Sequence, residues 1–133
     1  MFKIEGNNMY ITKLDALDLT VNITDSTGTP IEFKNDDVVT LTVKTKYGGT
    51  TLFSKNATFS GVDAVIHADS FVGESGAIID VGRYSASIIY KHRHNGANYD
   101  TYTIFPTWSS KGDTRLMRGD IDNWDNFWVV PNL

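Results

Sequence analysis

The sequence predicts an all-β protein, an antiparallel β-sandwich with an aromatic-rich irregular C-terminal extension. Three observations carry that prediction. Leu17, Leu19, Val21 and Ile23 alternate with Asp18, Thr20, Asn22 and Thr24, so an extended chain here has one dry face and one wet face. Val39, Leu41 and Val43 repeat the alternation with Thr40 and Thr42 between them. Turn-forming clusters then follow at roughly the 8–12-residue spacing of sandwich strands, which favours an Ig-like topology although no Cys-Trp-Cys signature is present.

Taken in order, the first two strands face each other across Asp25-Ser26-Thr27-Gly28-Thr29-Pro30 and Asn35-Asp36-Asp37, both rich in residues that bend the backbone. Gly48-Gly49 can take positive φ, so Thr51 to Lys55 is expected to return as a hairpin partner of the second strand. Asp63 to Asp69 reads as an imperfect strand, with Ala64, Ile66 and Ala68 on one side. The stretch from Asp69 to Gly76 is turn-rich and has room for one short helical turn capped by Asp69 or Ser70. Tyr84, Ala86, Ile88 and Tyr90 give a further alternating strand over Arg83 to Lys91. Asn95-Gly96 fits a type I′ turn, and Asn98 to Phe105 returns, ending at Pro106. The domain division is therefore a sandwich over residues 1–106, complete by Phe105, and an extension over 107–133 that packs on its own domain or on a partner subunit.

Tyr10-Ile11-Thr12-Lys13-Leu14-Asp15, the strand after it, the turn from Asp25 to Pro30, the acidic turn and the strand from Val38 to Lys44 together resemble the N-terminal domain of phage baseplate upper proteins. Gly82-Arg83-Tyr84, followed by a strand, a polar turn and another strand, resembles that family's finish. Leu14-Asp15 departs from its usual Gly-Asp turn, and the segment after Phe105 has no counterpart. The resemblance implies a small β module of Gram-positive phage or prophage tails. The expected function is accordingly a non-enzymatic structural or adaptor protein of a tail tip or baseplate, made in the host bacterial cytoplasm and carried in the virion. Its partners would be other tail and baseplate proteins, with a homo-oligomer in the assembly. Two alternatives stand beside it: a carbohydrate- or host-surface-binding sandwich, and a small phage-encoded accessory or inhibitor protein acting in the host.

Bulk properties narrow the field. Sixteen acids against 12 bases give a net charge of −4 with no basic stripe, which disfavours a phosphate backbone as ligand. No run of eighteen apolar residues is present, so no membrane-spanning helix is expected. The absence of cysteine removes disulfides, thiolate metal sites and cysteine nucleophiles. No nucleophile elbow, phosphate loop or dinucleotide fingerprint occurs, so neither an enzyme nor a cofactor is expected.

Trp108, Trp124, Phe127 and Trp128 are the candidate partner-binding residues, because tryptophans that fill a pocket dominate interface energies. The competing reading folds them back over their own sandwich. Tyr99 and Tyr102 are the candidate ligand-facing aromatics. His92 and His94, with His67 in reach, raise a metal site that solvated histidines beside a hairpin explain better. The acids Asp113, Asp120, Asp122 and Asp125 miss the order of a calcium-binding loop, because Trp124 sits where a ligand is needed. No metal is expected. Arg118-Gly119-Asp120 reads as a turn with charged shoulders.

Overall fold

The fold is that of a computed structural model, which describes residues 1–95, 98–106 and 125–133. The strands are β1 (Phe2–Glu5), β2 (Asn8–Thr12), β3 (Leu17–Val21), β4 (Val38–Lys44), β5 (Thr51–Asn56), β6 (Thr58–Ser60), β7 (Asp63–Ala68), β8 (Gly82–Asn95), β9 (Asn98–Phe105) and β10 (Phe127–Val130). They form two sheets that pack together. The larger runs β1-β2-β10-β8-β4-β5, with β9 also on β8, and the smaller runs β3-β7-β6.

The alternating runs become strands for the reason the sequence suggests. Leu17, Leu19 and Val21 are buried while Asp18 and Thr20 are exposed. Val39, Leu41 and Val43 are fully buried from the other side. These two strands do not pair edge to edge. β3 pairs with β7, and β4 lies between β5 and β8, so the turn-rich insert carries the chain from one sheet to the other. Apolar faces of both sheets then form one core, which includes Phe71, a loop residue with no exposed surface whose ring lies 4.8 Å from Phe53 and 5.1 Å from Phe127 of the larger sheet. Its backbone N–H donates to the carbonyl of Asp15, which ties the loop to the connection between β2 and β3.

Three sequence expectations are corrected. The larger sheet is mixed rather than antiparallel, because β10 runs parallel to β2 while antiparallel to β8. The sandwich is not complete at Phe105: Phe127–Val130 is an interior strand with Phe127 and Val129 sealed in the core, so the boundary at residue 106 divides one sheet. The short helical turn lies at Glu74–Gly76, preceded by Gly73 with no side-chain cap. Ser70 instead donates to the carbonyl of Leu14 at 2.7 Å, and Asp69 bonds His67.

β8 is 14 residues long and serves two partners along one edge. Its first residues pair with β10 and its later ones with β9. Between them, opposite Ala86, no strand residue is in register. Asn126 fills that place: its Oδ1 accepts from the Ala86 N–H at 2.6 Å and its Nδ2 donates to the Ala86 carbonyl at 2.9 Å. The carboxamide thus reproduces a peptide group in a site that is 1% exposed. At the start of β8, the Tyr84 hydroxyl donates to the carbonyl of Asp80 at 2.6 Å, tying the strand to the chain four residues upstream.

Candidate functional site

The length of β8 also creates a substantial concavity built from described residues. No strand of the smaller sheet exceeds six residues, so the inner face of the β8–β9 hairpin runs past it. The connection from β3 to β4 folds under that overhang. The result is a cavity of about 630 Å³ between the Ile23–Ile31 segment and Tyr90, His92 and Tyr102.

The floor loop is held by its own polar groups. Asp25 Oδ1 accepts from the backbone N–H of Thr27 at 2.9 Å, from that of Thr29 at 3.1 Å and from the Thr27 hydroxyl at 2.6 Å. Those bonds, the Thr27 hydroxyl first, hold the Asp25 carboxyl below its ordinary range. The Asp25 N–H donates to Thr29, the Ile31 N–H donates to Ile23, and Thr24 bridges to Pro30. An aspartate followed by small polar residues and glycine favours such a turn, so the loop is shaped without a ligand.

The opposite wall is a cross-strand aromatic pair. Tyr90 and Tyr102 are directly opposed on β8 and β9 and stack at 5.9 Å. Tyr90 is buried, meets Phe33 edge-on at 5.8 Å, and its hydroxyl approaches Asp37 at 3.3 Å. Burial, then the Asp37 charge, pushes the Tyr90 phenol up to about 12, so it stays protonated. Asp37 comes from the acidic turn. Its side chain is 1% exposed and accepts from the Lys34 N–H at 2.9 Å and from His92 Nδ1 at 2.8 Å. With Nδ1 donating to that carboxylate, neutral His92 presents Nε2 as an acceptor. A half-exposed Tyr102 ring is thereby set on a rigid support beside an oriented imidazole, an arrangement suited to binding.

The candidate residues named from the sequence are dispersed. Tyr102 lines the cavity. Tyr99 does not: its hydroxyl accepts from Arg93 at 2.8 Å, and the guanidinium lies 5.2 Å from its ring, which keeps Arg93 charged. Phe127 is a core residue without exposed surface, and Trp128, half-buried on the other face of β10, stacks on Tyr10 at 5.2 Å. Trp108, Trp124, the tripeptide at 118–120 and the acids Asp113, Asp120 and Asp122 lie outside the described residues. His67 and His92 do not meet, and the His94 side chain lies outside the described part of the structure. His67 sits on the smaller sheet between Asp18 at 2.5 Å and Asp69 at 2.7 Å, whereas His92 faces Asp37; no metal-holding cluster occurs among the described residues. The hydrogen bonds to Asp18 and then Asp69 raise the His67 pKa.

A second concavity of about 460 Å³ lies between β5, the Glu74–Gly76 turn and Tyr84, with Ile78 exposed at its mouth. Sequence reasoning missed Asp37, Phe33 and Asn126 because each acts through distant partners, and only the acidic turn itself was visible. No family model matches the chain, and neither a curated protein nor a solved structure matches it.

Proposed function

We propose that the chain is a non-enzymatic adaptor module of a phage or prophage tail tip or baseplate, built on an immunoglobulin-like plan. The plan has specific support. β3, β7 and β6 take the places of strands B, E and D, while β2, β10, β8, β4 and β5 follow the order A′, G, F, C and C′. The parallel pairing of β2 with the last strand fits that assignment. So does Tyr84, whose hydroxyl reaches back to the Asp80 carbonyl as in a tyrosine corner at the start of strand F.

The observation that carries the adaptor reading is the openness of both sheets. Among the described residues, β1, β5, β3 and β6 end their sheets and pair with strands on one side only. Such edges can accept a strand from another protein, which is the kind of contact an adaptor needs. The resemblance to baseplate upper proteins, whose motif residues fall on β2, β3, β4 and β8 and on the connections between the first three of them, supplies the virion context. Immunogold labelling and mass spectrometry of gradient-purified particles test it. Labelling at the tail tip is expected. A protein confined to the soluble lysate of infected cells, with none in particles, would overturn the virion assignment in favour of an accessory role.

A further inference from the structure

The cavity under the β8–β9 hairpin has features that edge docking leaves unused. We propose that it is a binding site for one pyranose ring of a neutral glycan. The inference stands on the cavity alone and does not depend on the virion reading.

Size comes first. About 630 Å³ falls within the roughly 300–1,000 Å³ of small-molecule sites. A sugar ring presents an apolar C–H face and a polar rim, and the cavity offers a counterpart to each. Tyr102, half-exposed and backed by Tyr90, is the platform, with Ile23, Ile31 and Ile104 beside it. Because Tyr90 is itself locked against Phe33 and Asp37, Tyr102 loses little freedom when a ring stacks on it.

The rim supplies both senses of hydrogen bond. Ser26 and Thr103 carry hydroxyls that donate or accept, His92 Nε2 accepts, and Asp25 retains Oδ2 once Oδ1 is spent within the turn. A ligand that satisfies carboxylate and imidazole acceptors must bring O–H donors of its own. Charge separates neutral from anionic rings. Among the described residues no Lys or Arg lines the cavity, Asp25 is held ionised, and Asp37 lies behind His92, so a phosphate or carboxylate would enter against repulsion from these groups. The turn bonds and the aromatic stack are already made, so the site needs no rearrangement to accept a ring.

Two-dimensional NMR titration of the full chain with glucose, galactose, N-acetylglucosamine and rhamnose, each to tens of millimolar, tests the site, with glycerol as the control polyol. At least one sugar is expected to give saturable shifts confined to the Ile23–Ile31 loop and the neighbourhood of Tyr90, His92 and Tyr102. Tyr102→Ala should weaken that binding at least tenfold with the spectrum still dispersed, and Tyr99→Ala should leave it unchanged. Ser26→Trp, on an exposed turn, should block the mouth independently, which keeps the test decisive if Tyr102→Ala fails to fold. The absence of saturable shifts with every sugar, equal shifts with glycerol, or binding unaltered by Ser26→Trp would overturn the assignment.

Discussion

At the residue scale, Asn126 shows how one side chain can stand in for a missing length of strand. β9 leaves β8 at Ile88 and β10 joins it at Tyr84, so without Asn126 the Ala86 N–H and carbonyl would be buried and unpaired. Leaving a buried polar group unsatisfied costs about 1–3 kcal/mol, so Asn126→Leu should destabilise the fold by about 3 kcal/mol and lower Tm by roughly 10 °C. Asn126→Asp tests the same geometry through pH. Ionised, the carboxylate can accept from Ala86 but cannot donate, and burial raises its pKa above the unfolded value of about 3.9. The variant should therefore come closest to the parent below that value and lose stability as pH rises through the raised folded pKa, as denaturation at several pH values would show. Equal losses at every pH would mean that the carboxamide is not the closing group. His67 gives a milder case. Its bonds to Asp18 and Asp69 raise its pKa, so their contribution is full below the unfolded value near 6.5 and fades as pH rises through the folded one. Its midpoint by NMR should exceed that of a free histidine, and Asp18→Asn should bring it down more than Asp69→Asn does.

At the scale of elements, the faces of β3 and β4 offer the direct test of alternation. Val21→Asp and Leu41→Asp each place a carboxylate in a position that is 7% and 0% exposed, which costs several kcal/mol and should unfold the domain. Thr20→Asp, on the exposed face of β3, should be mild, and circular dichroism melts would separate the two outcomes. Strands of this kind were legible because one face is wet: β3, β4, β8 and β9 all fall within a few residues of their expected spans. β10 was not legible as a strand. Phe127-Trp128-Val129-Val130 is apolar throughout, since Phe127 and Val129 face the core while Trp128 is covered on the other side by Tyr10, and such a run carries no period. Its partner β2 is also remote in sequence, and nothing local specifies a parallel pairing over that distance. The cavity was half legible for the same reason. Tyr102 and the Asp25 turn announce themselves, whereas the juxtaposition that makes them a site depends on β8 outrunning the smaller sheet.

For the whole molecule, the position of β10 decides how cooperative the chain is. It lies between the N-terminal hairpin of β1 and β2 and the long β8, so the second strand and the last described strand are neighbours in one sheet. A chain truncated after Pro106 would lose Phe127 and Val129, which are 0% and 1% exposed, at about 1.5–3 kcal/mol each. It would also lose the Asn126 closure, worth about 3 kcal/mol by the reasoning above. The Met9 N–H would lose its acceptor at Asn126, and the β1–β2 hairpin would be left with no neighbour in the larger sheet. The sum, about 6–9 kcal/mol before counting the stranded hairpin, matches the ~5–15 kcal/mol by which a domain is stable at all. Truncation should therefore yield an unfolded or loosely collapsed chain, with poor amide dispersion and no sigmoidal melt, while the full chain unfolds in one transition by both far-ultraviolet circular dichroism and tryptophan fluorescence. A truncated protein that melts cooperatively near the parent temperature would show that β10 is an accessory to the sandwich rather than one of its interior strands.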